Sequence, residues 1–167
     1  PDLAQECRQI ALKIWEFESG HEPVTIETEY IPKNHQVQAV CAAVELYRMT
    51  NDQKFLDFII SYKDVIKTNF EETGWRICRI LDEITDSNFR TWFYATVKEY
   101  REKLAMELAE NPFGIPFHPK HNGLNWQILR HGVAVFFLHQ RYPRWFPSEF
   151  LFAVLHYLFG FHPGSDI

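Results

Sequence analysis

The chain has 167 residues, enough for one domain with a sizeable core. Hydrophobic residues make up 46% and charged residues 23%, a globular balance and not a disordered one. Net charge is −5, no Lys/Arg cluster exceeds two residues, and no run of eighteen apolar residues occurs. These features argue against nucleic-acid binding, a basic membrane-binding face and a bilayer span.

The periodicity is helical almost throughout. A first helix is expected over about Leu3 to Phe17, capped by Asp2 with Gln5 in the capping-box position. Gly20, Pro23 and Pro32 bound a loop in which VTIETEY alternates like a short extended piece. A second helix runs from near His35 to Met49. Val37, Val40, Cys41 and Val44 recur there at the spacing of one buried face. Thr50, with Gln53, reads as the cap of a third helix that buries Phe55, Phe58 or Ile59, Tyr62 and Ile66. So short a turn requires helices two and three to lie antiparallel as an αα-hairpin.

Gly74 reads as a break, followed by a shorter helix over Trp75 to Ile84. Ser87 opens a long helix to about Glu110, with Trp92, Thr96, Tyr100 and Leu104 on one side. After the Pro- and His-rich loop NPFGIPFHPKHNG comes a helix from about Asn125 to Gln140. A turn at RYPRWFP then leads to a last helix, with Pro147 at its first position. The expectation is a single all-α domain over residues 1–167, built of antiparallel helical hairpins. Long loops (Ser19 to Asn34, Asn111 to Gly123) alternate with tight turns. The long-loop end is where such a fold builds a binding surface.

Aromatic residues reach 16% of the chain, which suits either a large helical core or flat apolar ligands such as sugar rings. Cys7, Cys41 and Cys78 sit in apolar helical segments with no CxxC, and read as three buried free thiols, although a pair among them stays open. Their spacings of 34 and 37 residues invite a repeat, but the tetratricopeptide signature positions are not filled. His118 and His121 form HPKH in a loop, where they bond locally or touch a substrate. A metal site needs two further ligands, and neither HExxH nor CxxC supplies them. His131, His139 and His156 read as half-buried packing residues on helices. Glu27 and Glu29 would share one face if their loop is extended, the pairing glycoside hydrolysis needs, but on a solvated loop such a pair is ordinary. No nucleophile elbow, Walker loop or dinucleotide fingerprint is present.

Three stretches together resemble a known family. AVCAAVELYRMTNDQKFLDF looks like a hairpin of six-hairpin glycosidases. NPFGIPFHPKHNGLNWQILRHGVAVFFLHQ resembles the family-nine glycoside hydrolase segment that begins Asn-Pro-Tyr-Gly-Val-Pro and passes through Trp-Gly-Ser-Asn into an apolar helix. HYLFGFHPGSDI resembles that family's Tyr-Leu-Leu-Gly-Arg-Asn-Pro loop. Order and rough spacing agree from about Tyr30 onward.

The resemblance implies part of an (α/α)6 barrel with an open cleft for β-linked glucan or related oligosaccharides. It implies inversion by two carboxylates set roughly 6.5–9.5 Å apart. The family's Asp-x-x-Asp base motif, its acid glutamate and its His-x-Arg clamp are absent from this sequence, so catalytic residues are expected to be none. The chain begins at Pro1 with no signal-peptide pattern, which reads as a processed, excised or truncated start. It ends just where the family's catalytic C-terminal segment would begin. Tyr30, His35, His121, Asn122, Asn125 and Trp126 are the implied substrate-binding residues. Asn122 stands where the family has its cleft tryptophan, so that platform is either missing or replaced by Trp126 or a neighbour. Asn125 is expected to keep a loop-bracing role, and His162 replaces the Asn of the Asn-Pro loop. No cofactor and no metal are implied, and the resemblance favours a secreted or periplasmic setting. The implied partners are the saccharide, the remaining barrel segments and, through the apolar face of a half-barrel, a second copy. The alternative is a non-catalytic helical-repeat scaffold that binds a protein or peptide.

Overall fold

The computed structural model describes residues 2–22, 34–110, 113–116 and 124–160. Among them the secondary structure is helical, with turns and no strand. In chain order the helices are α1 (Leu3–Ser19), α2 (His35–Thr50), α3 (Gln53–Ser61), α4 (Lys63–Thr68), α5 (Phe70–Cys78), α6 (Ser87–Ala109), α7 (Leu124–Arg141) and α8 (Ser148–Leu158). Contacts group them into two compact units, Pro1–Ile66 and Lys67–Ile167, and the boundary falls inside α4.

In the first unit, the Asp2 carboxylate accepts from the Ala4 N–H and caps α1, as the sequence indicates. Asn34 caps α2 by accepting from the Val37 N–H. The expected face of α2 is buried: Val37, Val40, Cys41 and Val44, joined by Ala43, Leu46 and Tyr47. It packs against Phe55, Leu56 and Ile59 of α3. The link between these helices is Asn51 and Asp52. Asn51 takes the left-handed conformation (φ 55°), which asparagine tolerates better than most residues, and its N–H donates to the Tyr47 carbonyl.

The expected cap at Thr50 is corrected. Thr50 is the last residue of α2, and its hydroxyl donates to the Leu46 carbonyl and accepts from the Asp52 N–H. Asp52 caps α3 by accepting from the Lys54 N–H at 3.0 Å. The third helix is also interrupted at Tyr62. There the Ser61 hydroxyl donates to the Phe58 carbonyl, a local bond that competes with the helical ladder. α1 leans on α3 through Trp15, whose ring meets Phe55 and Phe58 edge-on at 5.3 and 5.0 Å. No residue of α1 is buried, and Cys7 is exposed, against the expectation of three buried thiols. Apolar spacing marks a face that can be covered; it does not supply the cover.

In the second unit Gly74 does not break the chain. It lies buried in the middle of α5, and the ring of Phe70, one turn earlier, fills the space its missing side chain leaves. α5 ends at Cys78, and the turns that follow bury Ile80, Leu81 and Ile84. Asp86 caps the long α6 through the Phe89 N–H at 2.8 Å. α6 turns Phe89, Phe93, Thr96, Val97 and Leu104 inward. Phe70 packs on Phe93 and Tyr100 of α6. α7 packs against both α5 and α8. Gly132 permits the α7–α8 contact, since a Cβ there would lie 2.9 Å from a Val154 methyl. Pro147 is the N-cap of α8 and precedes its first helical residue by one position. No helix among the described residues is long and apolar enough to cross a membrane.

Candidate functional site

The segment Phe113–Pro116, from the Asn-Pro-Phe-Gly-Ile-Pro stretch, is anchored on α7 and α8. Gly114 has φ +65°, a conformation that glycine alone adopts without strain. This turn drives Ile115 into the interior, where it is fully buried with Ile128 of α7 and Val154 of α8. Phe113 meets Tyr157 of α8 edge-on, with centroids 5.7 Å apart. Tyr157 lies in the Tyr-Leu-Phe-Gly stretch. Gly160 of that stretch also has positive φ (72°) and ends the helix with an N–H to the Tyr157 carbonyl. Two stretches more than forty residues apart in the chain thus meet on one small apolar cluster.

Trp126 lies in the first turn of α7, 68% exposed, beside exposed Asn125. An exposed indole offers a flat apolar face and one N–H donor, a combination that suits a sugar ring. His35 occupies the first turn of α2 in the other unit and is exposed there. Tyr30, His121 and Asn122 fall outside the described residues, as do Glu27, Glu29, His118 and His162 and the loop that Asn125 is expected to brace. Asn125 and Trp126 are consecutive residues of α7, both exposed. His35 is described in its own unit.

Elsewhere in the second unit, a recess of about 340 Å³ is lined by Cys78, Arg79, Phe136, Phe137, Gln140 and Arg141. Trp75 stacks on Phe137 at 4.9 Å, and the Arg79 guanidinium lies over both rings. Arg141 is held by Asp82 in a bidentate ion pair, and that pairing keeps the Asp82 carboxyl below its usual range. Burial pushes the Cys78 thiol up to about 12, so it stays protonated at neutral pH and its reactivity is low.

The helical histidines differ from one another. His131 is buried and its Nδ1 lies 3.2 Å from the Glu71 carboxylate of α5. His139 is partly buried, with Nδ1 2.7 Å from the Phe146 carbonyl. His156 is exposed and stacks on Phe152. No group of three His, Cys, Asp or Glu side chains among the described residues is placed to hold a metal. The spacing of Trp75 and Arg79, one helical turn apart, carried a usable signal for the ring–guanidinium stack. The Glu71–His131 contact joins residues sixty positions apart and left none. No protein-family profile, no curated protein and no solved structure matches this chain.

Proposed function

We propose that this chain is part of a family-nine-like glycoside hydrolase of the (α/α)6 type. In this reading it supplies helical hairpins and one stretch of the saccharide cleft, and the acid–base carboxylates come from other parts of the parent protein. The substrate is a β-linked glucan or a related oligosaccharide, cleaved with inversion by the parent. One observation carries the reading: Phe113–Pro116, in one resembling stretch, packs on the end of α8, where Tyr157 and Leu158 of the other resembling stretch meet it, Phe113 edge-on to Tyr157 and Ile115 buried in the same cluster. Exposed Trp126 supplies the stacking platform in place of the tryptophan that Asn122 replaces.

The test titrates cello- and chito-oligosaccharides into the chain, with tryptophan fluorescence and calorimetry as readouts. Expected are saturable binding, its loss in Trp126→Ala with the fold intact, and no hydrolysis. Hydrolysis above a blank, or binding indifferent to Trp126→Ala, overturns the assignment. The reading also requires an Asp-x-x-Asp pair upstream and a glutamate downstream in the longer open reading frame.

A second reading, a non-catalytic scaffold for a protein partner, draws on a different observation. Leu129, Val133 and Phe136 of α7, and Phe152 and Leu155 of α8, are large apolar side chains exposed on the surface. No saccharide binding, together with an intact fold, favours it.

A further inference from the structure

α1 carries two apolar faces, and only one is used. Ala11, Leu12 and Trp15 are partly covered, with Trp15 on α3. About a third of a turn around the helix lie Leu3, Cys7, Ile10, Ile14 and Phe17. Their spacing is 4-3-4-3, the seam of a coiled coil sustained along the whole helix. All five are exposed: Leu3 73%, Ile10 50%, Ile14 56% and Phe17 58%, with Cys7 open as well.

The charges beside the seam are self-complementary. Glu6 and Lys13 hold the positions flanking it on one side, and Ala4, Ala11 and Glu18 those on the other. Laid parallel on an identical helix, Lys13 faces Glu18 of the second copy. Laid antiparallel, Glu6 faces Lys13. Either way two opposite-charge pairs form, and no like-charge pair is forced at those positions. Small alanines at two of the three positions on the second side let the backbones approach. From this geometry we infer that α1 is a homodimerisation helix, and that its seam is covered by α1 of a second copy of this chain. The inference does not depend on the saccharide reading.

Two and a half heptads make a short seam, so the association is weak and dynamic, with dimer growing in across the micromolar range. Ile10 is the middle of the five layers; it meets its own counterpart in the parallel arrangement and Cys7 of the second copy in the antiparallel one, so either orientation buries it. Sedimentation velocity and light scattering over a concentration series read the mass. Expected is a rise toward twice the chain mass that Ile10→Glu shifts to at least tenfold higher concentration, since each dimer loses two buried isoleucines, one from each copy. Because Ile10 is exposed within the protomer, the variant keeps its helical circular dichroism. A Cys7→Ser, Ile10→Cys variant should give a covalent dimer with a short bismaleimide, and Cys7→Ser alone should not. A monomer at all concentrations overturns the inference. So does a dimer that is unmoved by Ile10→Glu, which would place the contact on the apolar faces of α7 and α8.

Discussion

Replacing Gly74 by alanine sets two effects of opposite sign against each other. In an exposed helix interior, Gly→Ala is stabilising by about 1 kcal/mol, because alanine surrenders less backbone freedom. Here the new methyl would lie 2.5, 2.6 and 2.7 Å from three atoms of the Phe70 ring. That is almost an ångström inside ordinary contact, so the ring must move. It has little room, being buried and pressed against Phe93 at 5.6 Å and Tyr100 at 5.0 Å. Overpacking of this kind costs about 1–3 kcal/mol, and three close atoms on a hemmed ring put it at the upper end. The net expectation is a loss of about 2 kcal/mol, or about 4–8 °C in melting temperature for a chain of this size. Urea unfolding followed by tryptophan fluorescence reads it directly, since Trp75 is the next residue and stacks on Phe137. A Phe70→Leu, Gly74→Ala pair should lose much less than the two single changes together, because the smaller side chain vacates the contested space. A Gly74→Ala protein as stable as the parent would refute the argument, because the helix-propensity gain would then outweigh the clash.

Truncation of Ile115 to alanine should cost about 3 kcal/mol, the usual range for a fully buried aliphatic side chain, and should open the Phe113–Pro116 turn to limited proteolysis. Cleavage no faster than in the parent would mean that the turn is held by something else. Stability should also fall as pH rises between about 9 and 12. Burial holds Cys78 and Tyr142 up to about 12, and burial together with Glu71 and Glu107 raises Tyr100 well above 10. These groups stay neutral in the folded chain while their unfolded counterparts ionise near 9–10, so base favours unfolding. Phenolate absorbance should show Tyr100 and Tyr142 ionising late, together with unfolding; an absorbance change unaltered by Tyr100→Phe and Tyr142→Phe in that late phase would contradict this. In thiol titration with a disulfide reagent at neutral pH, Cys7 should react at once and buried Cys41 and part-covered Cys78 slowly. Three equal rates would be the contrary result.

Much of the helical content was legible because helix formation is a local affair. The Asp2 cap, the apolar face of α2 and the opening of α6 near Ser87 all rest on residues within one or two turns. Sequence and structure part where a remote or neighbouring side chain decides. Gly74 read as a breaker because its role depends on the ring of Phe70, which occupies the vacancy and lets the helix run through. Thr50 and Asp52 are both good caps two residues apart, and the left-handed turn at Asn51 selects the second. The apolar face around Cys7 predicts burial, yet whether such a face is covered is a tertiary question. For the candidate site, the sequence carried the stretches and their order. That Ile115 would plug between Ile128 and Val154 depends on how α7 and α8 pack, and no spacing rule contains it.

The composition of α8 bears on how the protein behaves when it is heated. From Phe150 to Leu155 the chain reads FLFAVL, six apolar residues without a charge or a proline, and only Val154 of that helix is fully buried. A segment like this is a sticky handle whenever α8 loosens, and neighbouring molecules will gather on it before refolding can retrieve it. Thermal scans should therefore end in precipitate at a temperature that climbs with heating rate, and shelf life will track the opening rate of α8 more closely than the equilibrium stability of the whole chain.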